Sequence, residues 1–143
     1  MLGIVYSIIA GVFICLQSIF NTRAGEKIGL WQTITIVHIT GLIASLLLLA
    51  FTREGSFGSL HAVNKWYLLA GVFGVIIVSS VMKGITLLGP TLSVAILMVT
   101  QLIAALMVDT FGLFESHRVD FHFTKPLGVG IMIAGIIIFK LKG

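Results

Sequence analysis

Apolar residues form five long segments along this chain, and short polar stretches separate them. Each segment is long enough for a helix that crosses the hydrocarbon core of a bilayer, which takes roughly 20 apolar residues. Apolar and polar residues do not alternate within the segments, as they would in the strands of a membrane β-barrel. The pattern therefore predicts an all-α integral membrane protein, a five-transmembrane-helix bundle with a single membrane domain over residues 1–143. The predicted spans are about residues 2–20, 30–51, 66–87, 90–114 and 125–141.

The composition leads to the same class of protein. Hydrophobic residues make up 58% of the chain and charged residues 10%, and the mean hydropathy is +1.16. Average soluble chains carry about 25% charged residues, and a soluble domain of this size could not bury so much apolar surface. The first segment has neither a basic n-region nor an A-x-A-like cleavage site, so we expect a permanent span and not a signal peptide.

The sequence lacks the patterns that enzymes and metal-binding proteins need. Its single cysteine, Cys15, and its four histidines are scattered, without the spacing of a zinc site. No nucleophile–base pair or phosphate-binding loop is recognisable, so we expect no catalytic activity, no metal and no cofactor. The basic residues sit singly in short loops, where they anchor helices at lipid headgroups. We therefore expect no nucleic-acid partner.

The fourth segment is the most informative of the five. It reads GPTLSVAILMVTQLIAALMVDTFGLF from Gly89 to Phe114, and its strongly polar residues are Gln101 and Asp109. Pro90 suits a first helical turn, where its missing N–H is not needed. Gln101 and Asp109 lie two helical repeats of four apart, near one helical face. Because polar groups within a membrane usually face the bundle interior, we predict that this helix lines a transport path.

Small residues recur every four positions in three of the predicted spans. Such stripes let helix backbones approach closely in lipid, although the general abundance of glycine in membrane helices is an alternative explanation. The stripes are Gly3, Ser7, Gly11 and Cys15 in the first span, Ala70 and Gly74 in the third, and Gly130 and Ala134 in the fifth.

The basic residues are almost evenly divided between the two sides of the membrane. Five spans put the chain ends on opposite sides, and orientation normally follows a clear excess of Lys and Arg in cytoplasmic loops. We therefore predict insertion in both orientations and an antiparallel homodimer, resembling the inverted repeats of larger transporters. A single orientation set by other features is the alternative. The basic residues on the N-terminal side are Arg53, Lys65, Arg118 and Lys125, and those on the other side are Arg23, Lys27, Lys83, Lys140 and Lys142.

Polar residues within the spans are the candidates for a substrate site. At a helical rise of about 1.5 Å per residue, Gln101 lies near the midplane, where its amide must bond to another helix, a ligand or water. His38 belongs to a polar stripe of the second span, although a histidine satisfied by a neighbouring helix would look the same. Gln17 and Asn21 are also candidates for substrate binding, and interhelical hydrogen bonds alone would explain both.

Lys83 and Asp109 are the candidates for coupling or gating, because no carboxylate lies in the middle of any span. They lie near opposite sides of the membrane within one chain. In an antiparallel dimer the second copy would bring its own Asp109 to the depth of Lys83, so we predict that the two groups approach across the dimer. In the alternative, Lys83 only extends to the headgroups, and Asp109 reaches the interface or caps a helix end.

Four motifs, spread over essentially the whole chain, are similar to those of one transporter family. They are Q-S-x-x-N at Gln17–Asn21, L-G-P-T-L-S-V-A at Leu88–Ala95, Q-L-I-A-A-L-M-V-D-T-F-G-L-F at Gln101–Phe114, and K-P-L-G at Lys125–Gly128. With these motifs the chain resembles the YdcZ-type inner-membrane exporters of the drug/metabolite transporter superfamily.

The resemblance implies a five-helix bundle, equivalent to half of a ten-helix transporter, in the bacterial plasma membrane. It also implies that the bundle works as a homodimer or with a paired relative. The related small multidrug resistance proteins carry a glutamate in their first helix, and the first predicted span here has none. Exchange of cationic drugs for protons therefore does not carry over. Thr110 also departs from the family pattern, which has a histidine after the aspartate.

The sequence thus predicts a small secondary transporter that exports a small molecule or metabolite by alternating access at a dimer interface. The alternatives are a dual-topology channel with a fixed pore and a structural subunit of a membrane complex. The expected partners are a second copy or a paired relative, the lipid bilayer and an unidentified small-molecule substrate.

Overall fold

The computed structural model describes residues 1–52, 57–115 and 122–141 of the chain, and these residues are almost entirely helical. Short 3-10 turns accompany the α-helices at Phe57–Ala62, Lys65–Leu69 and Leu113–Glu115. The α-helices are α1 (Leu2–Ile28), α2 (Leu30–Thr52), α3 (Ala70–Leu88), α4 (Pro90–Phe111) and α5 (Thr124–Leu141).

Five helices of the described residues are long and apolar enough to cross a membrane, which confirms the predicted all-α membrane class. Large apolar side chains are exposed along all five. In water such a surface would be very unfavourable, whereas lipid tails are as apolar as the side chains themselves. The exposed apolar surface is therefore what helices surrounded by lipid require.

Helix α1 continues well beyond the predicted first span, through a charged stretch to Ile28. Within that stretch Arg23 forms an ion pair with Glu26 at 3.1 Å, a spacing of three residues that places both side chains on one face. Gly29 then ends the helix with a φ of 97°, a left-handed conformation that favours glycine. Because α2 begins at Leu30, a single residue joins the two helices.

The third predicted span begins as a 3-10 turn at Lys65–Leu69 and becomes α-helical only from Ala70. Asn64 caps the turn, since its side-chain oxygen accepts a hydrogen bond from the Trp66 N–H at 3.1 Å. Such a cap satisfies a backbone donor that the start of a helix leaves without a partner.

Helix α4 has a defined start and a defined end. Pro90 occupies its first turn, as predicted, and follows Gly89, which has a φ of 78°. The helix ends at Phe111, because Gly112 adopts the left-handed conformation with φ 63° and ψ 38°. The predicted span reached Phe114, but residues Leu113–Glu115 form a separate 3-10 turn.

The chain divides into two units, each of which has its own small set of buried residues. The first unit is Met1–Leu87, with α1, α2 and nearly all of α3, and its buried apolar residues are Ile34, Met82 and Ile85. The second unit begins at Leu88 and contains α4 and α5, which contact each other around Val99 and Val129.

Candidate functional site

Polar side chains are concentrated where α1 and α2 of the first unit contact each other. The Oγ of Ser18 donates to the Ile14 carbonyl at 2.6 Å, and the Oγ1 of Thr22 donates to the Ser18 carbonyl at 2.8 Å. These bonds satisfy the hydroxyl hydrogens within the same helix, so the oxygens can still accept a hydrogen bond. The buried polar residues are Ser18, Asn21 and Thr22 on α1 and Thr33 on α2.

Asn21 differs from these hydroxyl residues because its side chain forms no hydrogen bond with any described residue, although it is only 6% exposed. No fully buried side-chain N or O atom of the described residues lacks a partner, so the Asn21 amide, with its two donors and an acceptor, reaches the surface of the chain. Asn21 therefore retains hydrogen-bonding capacity for a ligand, for water or for another chain.

A close approach between α1 and α3 lies one turn further along α1, at Gly25. The side chain of Met82 occupies the space that a Cβ at Gly25 would fill, so only glycine allows this contact without a shift. The Oγ1 of Thr33 lies 3.8 Å from the same point. Glycine thus brings α3 up to α1 next to the buried polar residues.

A groove of about 440 Å³ opens beside this contact, and we call it the Lys83 groove. Its size lies within the range of small-molecule sites, and its wall is mostly apolar. The residues that line it are Thr22, Gly25, Glu26, Leu30, Met82, Lys83, Thr86 and Leu87.

Two charged residues line the Lys83 groove, and only Glu26 has an ion-pair partner among the described residues. Glu26 is held by Arg23 through the exposed ion pair. Lys83 forms no ion pair with any described residue, so its ammonium group remains available. The Thr86 hydroxyl donates to the Met82 carbonyl at 3.0 Å and keeps its acceptor capacity. The groove therefore suits a molecule with an apolar body and a polar group that Lys83 can contact.

His38 lies where α2 and α3 contact each other, and it does not line the Lys83 groove. Its Nδ1 donates to the Ile34 carbonyl at 2.8 Å. Its Nε2 lies 3.2 Å from the point that a Cβ at Gly74 would occupy, so this half-buried ring packs directly against α3. One ring nitrogen is thus satisfied within the helix.

Gln17 and Gln101 are exposed, and neither side chain forms a hydrogen bond with a described residue. Gln17 lies on α1 and Gln101 on α4, both within helices long and apolar enough to span a membrane. A carboxamide in the hydrocarbon region needs a partner. Each amide therefore marks a position where a hydrogen bond to a second chain, a ligand or water would be favourable.

Asp109 lines a cavity of about 420 Å³ in the second unit, which we call the Asp109 cavity. Lys125 lines it as well, but the two charged groups do not form an ion pair. The remaining lining residues are Leu102, Ala105, Leu106, Thr124, Gly128, Val129 and Met132.

The predicted site residues are therefore distributed over several places. Asn21 lies next to the Lys83 groove in the first unit, whereas Asp109 lines the cavity of the second unit. The approach of Lys83 to Asp109 across a dimer remains a prediction. Three of the basic residues used to predict the orientation, Arg53, Arg118 and Lys142, lie outside the described residues.

The sequence interpretation missed Glu26, Thr22 and Thr86, all of which line the Lys83 groove. The predicted first span ends at about residue 20, so Glu26 falls in the charged connection that follows it. The three-residue spacing of Arg23 and Glu26 and the glycine at position 29 together indicated a helix that continues to this point. Within the described residues, no three His, Cys, Asp or Glu side chains are grouped so that they could hold a metal ion.

Residues 2–138 match the model of the family described as "Putative inner membrane exporter, YdcZ". No curated protein and no solved structure matches the chain at a significant level.

Proposed function

The chain belongs to the YdcZ family of inner membrane exporters, and from this premise we propose that it exports a small amphipathic molecule by alternating access, with the Lys83 groove as the binding site. It is a multi-pass inner-membrane protein, and its family is one of exporters and not of enzymes. The observation that carries the proposal is the ammonium of Lys83, which pairs with no described residue, in a mostly apolar groove of the first unit.

The chemistry of the groove supports an amphipathic substrate. Leu30, Met82 and Leu87 offer apolar contacts, and Lys83 attracts an anionic or strongly polar group. Charged groups within or beside membrane spans are costly, and they often mark substrate pathways. Asn21 lies one turn deeper along α1 than Gly25 and would provide the next hydrogen-bonding group on the way into the membrane.

The contact between α1 and α3 supports a change of conformation around the groove. It depends on the flexible end of Met82 meeting Gly25. Because methionine has three rotatable side-chain bonds, it can fill a gap in more than one arrangement of its neighbours. We propose that α3 moves relative to α1 at this contact when the groove opens to one side or the other.

A second copy of the chain would complete the transporter. Gln17 and Gln101 have no described hydrogen-bond partner, and the basic residues do not favour one orientation. An antiparallel homodimer, or a pair with a relative, would supply partners for both amides. In such a dimer Lys83 and the second copy's Asp109 are our candidates for coupling or gating.

Two variants with the same chemical change test the role of the groove. We propose to compare three strains, which produce the unchanged protein, the Lys83→Gln variant or the Lys65→Gln variant. The small molecules that each strain releases into the medium are then profiled. Lys65 is also exposed, but it does not line the groove. Removing a charged hydrogen bond costs about 1.5–3 kcal/mol, or roughly ten- to a hundredfold in affinity.

The expected result is at least one compound whose release depends on the protein. Lys83→Gln should lower that release strongly at subsaturating internal concentration, while Lys65→Gln should leave it unchanged. If both variants release the compound at the original rate, Lys83 does not contact the substrate. Immunodetection of equal amounts in the membrane fraction controls for expression.

A further inference from the structure

We infer that the Asp109 cavity is a binding site for a small zwitterion, a molecule that carries an ammonium group, an anionic group and an apolar side chain. All residues that line this cavity belong to the second unit, so the site is defined without reference to the Lys83 groove. The inference concerns binding, and it goes beyond the proposed export function.

The cavity contains two half-buried charges of opposite sign that do not neutralise each other directly. Asp109 lies in the last turn of α4, and Lys125 lies in the first turn of α5. The carboxylate and the ammonium line the same cavity without forming an ion pair, and neither pairs with any other described residue. A ligand with both charges could contact the two groups at once.

Each of the two charged residues lies at a helix end whose partial charge has the same sign. The C-terminal end of a helix carries a partial negative charge and the N-terminal end a partial positive charge. Asp109 therefore adds its negative charge to the negative end of α4, and Lys125 adds its positive charge to the positive end of α5. Each charge is therefore unfavourable at its helix end. A bound ammonium near Asp109 and a bound anion near Lys125 would relieve both.

Apart from Thr124, the rest of the cavity is apolar. Its apolar walls are Leu102 and Leu106 on α4, with Val129 and Met132 on α5. These walls offer contacts to the apolar side chain of a bound amino acid.

A zwitterionic lipid headgroup shares the ammonium and the anion, so the experiment must separate the two sources. We commit to the free zwitterion and propose three neutral amino acids as probes: leucine, methionine and phenylalanine. Isoamylamine and isocaproate are the matched controls for leucine, because each keeps the apolar part and only one of the two charges. Phosphatidylethanolamine serves as the headgroup control.

Two glycines of α5 provide matched variants. A Cβ at Gly128 or at Gly130 would meet no heavy atom within 4 Å, so a methyl group fits at both positions without a shift. Gly128 lines the Asp109 cavity and Gly130 does not. Gly128→Leu should therefore fill the cavity, and Gly130→Leu should leave it open. Gly128→Ala provides a smaller change if the leucine variant does not fold.

The measurement is the thermal stability of the purified full-length protein in detergent, with each probe added at millimolar concentration. At least one amino acid should raise the melting temperature by a few degrees, because a ligand that binds only the folded state stabilises it. Isoamylamine and isocaproate should have little effect. Asp109→Asn, Lys125→Gln and Gly128→Leu should each reduce the affinity at least about tenfold, whereas Gly130→Leu should not.

The inference is wrong if none of the three amino acids shifts the melting temperature of the unchanged protein. It is also wrong if only phosphatidylethanolamine does, or if the shift survives in Asp109→Asn and Gly128→Leu. These outcomes leave the proposed export function untouched, because release that depends on Lys83 is measured separately. Conversely, an amino acid that binds here while Lys83→Gln exports normally would support the cavity and contradict the role of the groove.

Discussion

Two glycines determine how closely α3 approaches the other helices of the first unit. At Gly25 the side chain of Met82 occupies the space of a Cβ, and at Gly74 the His38 ring lies beside that space. Because each contact needs the absence of a side chain, substitution there should change the packing of α3. At Gly11 and Gly71, on the same helices, a Cβ would meet nothing within 4 Å.

Gly25→Ala should lower stability relative to Gly11→Ala by up to about 1 kcal/mol, because the flexible end of Met82 must move aside for the added methyl group. Gly11 lies on the same helix, and a Cβ there meets nothing within 4 Å. Thermal unfolding of the two purified variants measures the difference. Equal melting temperatures would contradict a packing constraint at this contact.

At the scale of residues, the sequence predicted polar candidates but not which groups they face. Asn21 was predicted because it follows Gln17 by one helical turn, and it is buried on α1 beside Thr22, which lines the Lys83 groove. Glu26 escaped prediction because its charge indicated a loop, whereas Arg23 at the preceding turn supports a helix. Gln101 is exposed and has no hydrogen-bond partner among the described residues, and the sequence does not specify which group it meets.

At the scale of elements, hydropathy predicted the helices well, and local chemistry at their ends explains the differences. Helix α1 is longer than its apolar segment because it continues through the Arg23–Glu26 ion pair until Gly29 ends it. Helix α4 is shorter because Gly112 takes a left-handed conformation. The small-residue stripe of α1 makes no close helix contact at Gly3 and Gly11, because a Cβ there would meet nothing within 4 Å among the described residues.

The end of α4 can be tested at Gly112. Gly112→Ala should destabilise the protein by about 1–2 kcal/mol, since a residue with a Cβ is strained at a φ of 63°. Gly130→Ala is the control, because Gly130 lies within α5 and a Cβ there meets nothing within 4 Å. Thermal unfolding should show a lower midpoint only for Gly112→Ala. A midpoint as high as that of the control would place the end of α4 elsewhere.

At the scale of the whole molecule, composition and helix count follow from the sequence, but assembly does not. The five apolar segments correspond to five helices able to span a membrane. Dimer formation depends on surfaces that are exposed in one chain, and apolar surface alone does not distinguish lipid from protein contact. The antiparallel homodimer therefore remains a prediction that rests on the balance of Lys and Arg.

Reporter fusions at the C-terminus test whether the chain inserts in both orientations. One reporter is active only in the cytoplasm and the other only outside it, and we expect both to give a clear signal from the same chain. Added lysines in the 57–65 connection should shift the signals in opposite directions, because basic loops are retained in the cytoplasm. A signal from one compartment only would exclude dual topology.

A charge exchange tests the contact between the two copies. Lys83→Asp and Asp109→Lys should each reduce export, and the double variant should recover part of it if the groups meet across the dimer. A structural role of either residue alone would not produce recovery. If the double variant is as inactive as the single variants, the predicted contact loses its support.

Efflux from liposomes is the most direct test of the proposed transport. The purified protein is reconstituted with the compound whose cellular release depends on Lys83, and the initial efflux rate is measured at increasing internal concentration. The rate should saturate, increase when unlabelled compound is present outside, and fall about tenfold in Lys83→Gln at subsaturating concentration. A rate that rises linearly without such acceleration would indicate a channel, and no efflux above that of empty liposomes would contradict transport altogether.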